Sequence, residues 1–183
     1  MSPIQILLNA LENQWTDTIT LKRNEFLVTS GQIHTKLYWI DEGSVRVYIQ
    51  DDIEEHTIRF GYKNSIITAL DSFLNEKPTL FYIQAIKKCK LKVISKQDYM
   101  NFINSDEKFR KIWEQTLEDF VLQQMEREVD LITYSPQKRF ERVFNRSPHL
   151  FQEIPQKYIA SYLRMTPETL SRILTNLDSK SEK

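Results

Sequence analysis

The residues with the clearest chemistry lie in the segment IPQKYIASYLRMTPETLSRILTNL, which begins at Ile154. Glu168, Ser171, Arg172 and Thr175 share one side of a predicted helix in this segment. An arginine can pair bidentately with O6 and N7 of guanine, and a glutamate can accept a hydrogen bond from N4 of cytosine. These residue types on one helix face therefore predict a helix that reads base edges in the major groove of DNA.

Two helices are needed to position these side chains. Thr166 is a favourable N-cap and Pro167 suits the first turn of the helix that carries them. A preceding helix begins at Pro155, and its small Ala160 lies where another helix must cross closely. Two short helices joined by a turn of about three to four residues are typical of a helix-turn-helix, although a plain helical hairpin has the same periodicity. The inward residues are Tyr158, Ile159, Tyr162 and Leu163 in the first helix, and Leu170, Ile173, Leu174 and Leu177 in the second.

Other residues of this segment are candidates for contacts to the DNA backbone. Thr166 and Thr169 lie near a helix N-terminus, where hydroxyl and N–H groups favour phosphate. Lys157 and Arg164 add positive charge nearby. Residues 136–183 contain nine Lys and Arg against five Asp and Glu, whereas the whole chain has 25 of each. A basic end on an acidic remainder favours a separate DNA-reading module, although a solvated charged face gives the same count.

A long amphipathic helix is predicted upstream, over about residues 106–133, which contain neither glycine nor proline. About 28 residues at about 1.5 Å each give about 42 Å, which is longer than a small β-domain can cover. The apolar stripe of this helix predicts pairing with a second copy, and the alternative is a helix packed entirely within one chain. The residues predicted for dimerisation are Ile112, Trp113, Leu117, Phe120, Val121, Met125 and Val129.

The first part of the chain has the pattern of an antiparallel β-protein. A short amphipathic helix is predicted over residues 3–11, and from Thr18 to about Ser95 short runs of β-branched and aromatic residues alternate with polar ones. Gly31, Gly43 and Gly61 all lie in this region, and the sequence DEGS around Gly43 predicts a hairpin connection. The pattern predicts a barrel or roll with short loops.

A domain boundary is predicted at Ser135-Pro136, because the residue before a proline is disfavoured in the α conformation. The predicted fold class is α+β, with an N-terminal antiparallel β-roll of jelly-roll type, a long dimerisation helix and a C-terminal all-α helix-turn-helix domain. The predicted ranges are residues 1–105, 106–134 and 135–183.

Composition and residue types exclude several other classes. The chain is 40% hydrophobic and 27% charged, and it has no apolar run near the roughly 18 residues of a membrane span. The N-terminus lacks a secretory pattern and Cys89 is the single cysteine, so a cytoplasmic protein is predicted. The isolated His34, His56 and His149 do not indicate haem. No catalytic set, metal-ligand set or glycine-rich phosphate loop is found, so no enzyme, cofactor or metal site is predicted.

Over nearly its whole length the sequence resembles the Crp/Fnr family of bacterial transcription regulators. Gly31 and the following LYWIDEGSVRVYI resemble the family's cyclic-nucleotide-binding-type barrel, and TPETLSRIL resembles its recognition helix. Glu168 and Arg172 fall on the family's two main base-reading positions. The resemblance implies a homodimer that binds double-stranded DNA and senses an unknown small-molecule effector, with RNA polymerase as a further candidate partner.

The sequence departs from family members that bind cyclic AMP. Those members carry a phosphate-binding cassette with a Gly-Glu pair in a short helix and, a few residues later, an arginine that neutralises the cyclic phosphate. Here Thr68 and Ala69 fall near the Gly-Glu positions and Phe81 or Tyr82 near the arginine position. Because no cation is then available for the phosphate, tight binding of cyclic AMP is not expected. The aromatic residues suggest a more apolar pocket, or simply barrel core. The candidate pocket residues are Thr68, Ala69, Leu70, Phe73, Phe81 and Tyr82.

Two departures concern DNA binding. Arg164 occupies a turn position that is often glycine, which would cost about 1 kcal/mol if the residue is left-handed. The sequence stops at Lys183, so the β-hairpin wing of the family is expected to be missing, with fewer phosphate contacts and a shallower salt dependence. The sequence therefore predicts a dimeric, sequence-specific DNA-binding regulator. The alternative is a ligand-sensing barrel dimer that acts through protein partners and has a non-functional helix-turn-helix.

Overall fold

The computed structural model describes residues 3–181, with side chains over residues 5–176. The strands are β1 (Asp17–Leu21), β2 (Phe26–Val28), β3 (Leu37–Glu42), β4 (Ser44–Gln50), β5 (Glu55–Tyr62), β6 (Ile66–Ile67), β7 (Tyr82–Ala85) and β8 (Cys89–Ile94). The helices are α1 (Pro3–Ala10), α2 (Leu70–Asn75), α3 (Lys96–Asn104), α4 (Glu107–Ile132), α5 (Pro136–Arg146), α6 (Pro148–Glu153), α7 (Gln156–Tyr162) and α8 (Pro167–Ser181). This order confirms the predicted fold class.

The strands form two four-stranded antiparallel sheets, in the orders β1-β8-β3-β6 and β2-β7-β4-β5. Alternate residues of each strand point inwards, so the two sheets enclose one apolar core. The core includes Ile40, Val45, Ile83 and Leu91, which are fully buried. The N-terminal part of the chain is thus the β-roll that the alternating pattern predicts.

The hairpin predicted at Gly43 is wrong, because β3 and β4 lie in different sheets and do not pair; Gly43 instead turns the chain from one sheet to the other. This residue has φ +89°, in the left-handed region that favours glycine. A Cβ at this position would lie 2.8 Å from the Cα of Cys89 and would also collide with the carbonyl of Lys88. The close approach of the connection between β7 and β8 therefore requires glycine.

The first half of α4 is covered by the protein's own N-terminal helices. Ile112 is only 7% exposed, and it lies in one cluster with Leu7 of α1, Leu11 directly after α1 and Tyr99 of α3. Trp113 contacts Tyr99 edge-to-face, with ring centroids 5.3 Å apart. The assignment of Ile112 to a dimerisation surface is therefore corrected, because a helix about a hundred residues earlier in the chain already buries it.

The second half of α4 exposes its apolar side chains. Val121 is 60% exposed, Met125 is 56% exposed and Val129 is 41% exposed, and the neighbouring Leu122 is as open as Val121. Thus α4 is not packed along its whole length within one chain. Leu117 and Phe120, at the boundary between the two halves, are partly buried.

The C-terminal helices share a second core and are joined to α4 by ion pairs to one buried aspartate. Phe140, Leu163 and Leu170 are buried in this core, which also contacts Phe60 of β5. Asp130 near the end of α4 is fully buried and pairs with two arginines of α5: its Oδ1 is 2.9 Å from Arg142 Nε, and its Oδ2 bonds Arg146. The break between α4 and α5 at Ser135-Pro136 is as predicted, with Ser135 capping α5 through the N–H of Lys138.

Within residues 3–181, no helix is both long enough and apolar enough to cross a membrane. The same residues contain no group of three or more His, Cys, Asp or Glu side chains arranged to hold a metal ion.

Candidate nucleic-acid interface and ligand cavity

Helices α7 and α8 form a helix-turn-helix with a four-residue turn, Leu163–Thr166. At the end of α7 the N–H of Met165 donates to the carbonyl of Ala160 at 3.1 Å, and the N–H of Arg164 donates to that of Ser161 at 3.1 Å. This pair of bonds is a Schellman motif, which needs a left-handed residue. Arg164 supplies it with φ +52°, so the strained conformation considered for this position is present.

The start of α8 is set by Thr166, as predicted. Its Oγ1 accepts a hydrogen bond from the N–H of Thr169 at 3.2 Å, and Pro167 follows as the first helical residue. Leu170 and Ile173 are buried against α7. The predicted inward position Leu177 lies outside the residues whose side chains are described.

The opposite side of α8 is polar and open. Glu168, Ser171, Arg172 and Thr175 are all exposed, on the face away from Leu170. Arg172 Nη2 donates to Thr169 Oγ1 at 3.4 Å, and the hydroxyl of Thr175 donates to the carbonyl of Ser171 at 3.1 Å. The structure thus brings the predicted base-reading side chains together on one accessible helix face.

Glu168 is held in its ionised form. Its own backbone N–H at the helix start and then the hydroxyl of Thr166 lower the pKa of the Glu168 carboxyl, and the charge of Arg172 acts in the same direction. An ionised carboxylate accepts hydrogen bonds and cannot donate them. At neutral pH Glu168 can therefore recognise a donor such as the amino group of cytosine.

The two basic residues predicted to contact phosphate lie beside this face. Lys157 is exposed on α7, with Nζ 4.5 Å from the ring centroid of Tyr158. Arg164 is exposed in the turn, and its Nη1 contacts Nδ1 of His56 at the tip of β5. Arg164 therefore joins the helix-turn-helix to the roll, an interaction that its position in the sequence did not predict.

An apolar cavity of about 130 Å³ lies between the roll, α2 and α4. Four of the six predicted pocket residues line it, namely Thr68, Leu70, Phe73 and Phe81. The remaining lining residues are Leu37, Val47, Ile58, Arg59, Ile66, Ile67, Trp113, Phe120 and Gln124.

Two predicted pocket residues do not line this cavity. Ala69 is fully buried in the core of the roll and precedes α2. Tyr82 stacks on Tyr48, with ring centroids 5.1 Å apart. Because neighbouring residues of an extended chain point to opposite faces, Phe81 reaches the cavity and Tyr82 does not.

Sequence reasoning missed the cation of this cavity, Arg59. Arg59 pairs with Val47 across the β4–β5 ladder, and both residues line the cavity. Its guanidinium carbon lies 5.3 Å from the ring centroid of Phe120, and burial lowers the pKa of Arg59. The expectation that no cation is available in this region is therefore wrong. Alternation from the buried Gly61, two residues later, was the pattern that could have placed Arg59 on the inner face.

His34 and His56, two of the histidines considered as haem ligands, have polar partners in the structure. His34 Nε2 lies 2.7 Å from Tyr38 Oη, and burial lowers the pKa of His34. His56 Nε2 lies 2.6 Å from Asp51 Oδ2. These contacts account for both side chains without a ligand.

Comparison with known protein families finds a match in the N-terminal part of the chain. Residues 18–106 match the family model of the cyclic nucleotide-binding domain. A comparison with curated proteins finds no match.

Similar solved structures cover the roll, the long helix and the C-terminal helices together. A CooA mutant from Carboxydothermus hydrogenoformans has a TM-score of 0.76 at 16% identity, over 98% of this chain and 85% of that one. FixK2 from Bradyrhizobium japonicum has a TM-score of 0.74 at 16% identity, over 90% of this chain and 85% of that one. The catabolite activator protein of Thermus thermophilus has a TM-score of 0.60 at 17% identity, over 98% and 88%. At these identities the similarity is one of fold.

Proposed function

We propose that this chain, which has the fold of the Crp/Fnr family of transcription regulators and a cyclic nucleotide-binding domain over residues 18–106, is a sequence-specific DNA-binding regulator. The observation that carries the proposal is the exposed polar face of α8, where Glu168 and Arg172 are one helical turn apart and the opposite face is buried. In the major groove Arg172 pairs with a guanine and the ionised Glu168 accepts from a cytosine.

The neighbouring side chains supply the contacts that orient α8 on the duplex. Thr166 and Thr169 at the N-terminus of α8 can donate to phosphate, and Lys157 and Arg164 add two exposed cations. Such contacts fix the register of the protein on DNA but do not read the sequence. The nine residues of the proposed interface are Lys157, Arg164, Thr166, Pro167, Glu168, Thr169, Ser171, Arg172 and Thr175.

The proposed regulator acts as a dimer through the second half of α4. Val121, Leu122, Met125 and Val129 are exposed along that half, and an apolar stripe of this kind is stabilised by pairing with its copy. The dimer interface therefore excludes Ile112, which lies in the chain's own core. Two copies of α8 then read half-sites about 34–36 Å apart.

In the proposed division, residues 1–105 sense an effector, residues 106–134 pair the protomers and residues 135–183 bind DNA. The apolar cavity between the roll and α4 is the proposed effector site. A cavity of about 130 Å³ with mostly apolar walls suits a small apolar molecule. RNA polymerase is a further partner of a regulator of this kind.

The test is selection of random duplex DNA by the purified protein, followed by sequencing of the bound pool. The wild-type protein is expected to enrich an imperfect palindrome. Arg172→Ala should lose the preference for the base pair that Arg172 contacts, at a cost of about 1–3 kcal/mol. Arg110→Ala removes an exposed arginine of α4 outside the interface and should enrich the same sequence as the wild type.

Two outcomes would contradict the proposal. One is the absence of any enriched sequence at low salt, and the other is an identical sequence enriched by wild type and Arg172→Ala. Either result would favour the alternative function, a ligand-sensing barrel dimer that acts through protein partners.

A further inference from the structure

A second and larger cavity lies where β5, α4 and the C-terminal helices meet. Its volume is about 520 Å³, within the range of about 300–1,000 Å³ that small-molecule sites occupy. It shares Arg59, Phe120 and Gln124 with the smaller apolar cavity, so the two are adjacent. We call it the arginine cleft, after Arg59, Arg127 and Arg146 in its walls.

The arginine cleft has an excess of positive charge. No Asp or Glu is among its lining residues. Arg146 is neutralised from outside the cleft by Asp130 and Glu126. The guanidinium of Arg59, by contrast, makes no hydrogen bond or ion pair with any residue that the structure describes.

Arg127 is less exposed to solvent than Arg59 and also makes no direct ion pair with a described residue, although the nearby charge of Asp130 partly offsets its own. It is only 6% exposed, its Nη2 donates to the carbonyl of Tyr162, and its Nη1 is buried without a partner among the described residues. Charged side chains are almost never this buried unless they are paired. Burial lowers the pKa of both Arg59 and Arg127, which means that each charge is poorly solvated.

Aromatic rings hold both guanidinium groups. Arg127 lies 3.7 Å from the ring centroid of Tyr162, and Arg59 lies 5.3 Å from that of Phe120. Phe60 packs against Tyr162 with centroids 5.5 Å apart and also lines the cleft. A guanidinium stacked on a ring keeps its N–H edge available for an oxygen anion, and the rings offer flat surfaces to a planar ligand.

We infer that the arginine cleft binds a phosphate monoester carried on a planar ring, with the size of a nucleoside monophosphate. Arg59 and Arg127 are two guanidinium groups without a direct ion pair among the described residues, and together they match a phosphate monoester, which carries a charge of about −1.5 to −2 at neutral pH. A carboxylate or a cyclic phosphodiester would supply only one negative charge. The site adjoins the apolar cavity, with which it shares Arg59, and it is separate from the proposed DNA-binding face.

Such a ligand would contact both halves of the molecule. Arg59 belongs to the roll and Arg127 to α4, whereas Arg146 and Tyr162 belong to the C-terminal helices. Binding would therefore fix the position of the C-terminal helices relative to the roll.

The test is isothermal titration calorimetry of the full chain with adenosine, guanosine and cytidine monophosphates, and with inorganic phosphate, adenosine and cyclic AMP. At least one of the three monophosphates is expected to bind at least about tenfold more tightly than the three comparison compounds, because it alone combines two charges with a ring. Its affinity should fall as salt is raised.

Variants then assign the binding to the cleft. Arg59→Gln and Arg127→Gln should each weaken binding of the best monophosphate by about tenfold or more, and Arg127 lines the cleft but not the apolar cavity. Arg110→Gln, on the exposed side of α4, should leave binding unchanged. Circular dichroism and the melting temperature of each variant separate loss of the site from loss of the fold.

The inference is overturned if none of the three monophosphates binds, if inorganic phosphate or adenosine binds as tightly as the best of them, or if Arg59→Gln or Arg127→Gln binds as tightly as Arg110→Gln. None of these measurements uses DNA, so a negative result would not contradict the proposed DNA-binding function.

Discussion

The hydroxyl of Ser161 on α7 lies 3.1 Å from the hydroxyl of Thr57 on β5. Ser161 also donates to the carbonyl of Glu55 at 3.3 Å and accepts from the N–H of Thr57 at 3.3 Å. The first helix of the helix-turn-helix is therefore hydrogen-bonded to the tip of the roll. Any reorientation of α7 and α8 for DNA binding must either move the β4–β5 hairpin in the same direction or break these hydrogen bonds.

Removal of the Ser161 hydroxyl should loosen this docking. Ser161→Ala is expected to lower the free energy of unfolding by about 1 kcal/mol and to speed amide hydrogen exchange in α7, because the N–H and hydroxyl of Thr57 lose their partner. A double-mutant cycle with Thr57→Val should give a coupling energy of about 0.5–1.5 kcal/mol. Additive effects of the two substitutions would contradict a direct interaction.

A glycine in place of the left-handed turn residue should stabilise the helix-turn-helix relative to an alanine. Arg164 has φ +52°, and a glycine adopts this conformation without a Cβ clash. Arg164→Gly is therefore expected to have a free energy of unfolding up to about 1 kcal/mol higher than Arg164→Ala, which loses the same contact to His56 but keeps the Cβ. Asn24 is also left-handed, with φ 70°, but asparagine tolerates that region. Asn24→Gly should therefore give a smaller gain in thermal unfolding, and an equal gain would mean that strain at Arg164 is not the cause.

The two halves of α4 should respond differently to substitution. Met125→Glu introduces a charge on the exposed stripe and should shift the protein to monomers in sedimentation velocity, at a cost to dimerisation of about 3–5 kcal/mol. Ile112→Ala removes buried volume within the chain and should cost about 2–5 kcal/mol of folding free energy. A Met125→Glu protein that remains dimeric would rule out this stripe as the interface.

Asp51 should make stability depend on pH in the acid range. Backbone N–H groups, first that of Glu54, together with the side chain of His56, lower the pKa of Asp51 from 3.8 to about 2. Its contribution is therefore complete above the unfolded pKa of 3.8 and is lost as the pH falls through about 2. Unfolding measured between these pH values should show a shallower pH dependence in Asp51→Asn, and an unchanged slope would exclude this carboxyl as a cause.

Cyclic AMP should not bind tightly in the apolar cavity. The volume of about 130 Å³ is below the range of ordinary ligand sites, and Phe73, Phe81 and Trp113 are among its walls. Weak binding of cyclic AMP is expected from the size and the apolar lining of the cavity. The lack of a cation is not the reason, because Arg59 lines the cavity. Titration followed by calorimetry and by the fluorescence of Trp113 should detect no low-micromolar binding, and a low-micromolar dissociation constant would overturn this prediction.

Local patterns predicted the helix-turn-helix because its determinants are close in sequence. Thr166 caps α8, Pro167 starts it, and the spacing from Leu170 to Ile173 gives its buried face. These are short-range features that need no knowledge of the rest of the fold. The exposed positions of Glu168 and Arg172 follow from the same helical period.

Features that depend on distant parts of the chain were harder to predict. The apolar stripe of α4 has the same period throughout, so nothing within it distinguishes Ile112, buried by α1, from Met125, which is open. Arg59 was missed for a related reason. Alternation from Gly61 points Arg59 inwards, but the partner that accommodates an arginine there is Phe120 of α4, which is distant in sequence.

The packing of α1 on α4 bears on how the protein is synthesised. Leu7 and Leu11 are buried in one cluster with Ile112, which leaves the ribosome about a hundred residues later. At about 5–20 residues per second, the apolar face of α1 is without its final partner for about 5 to 20 seconds. A ribosome-associated chaperone that holds this N-terminal helix would protect the nascent chain from aggregation until the first half of α4 has been translated.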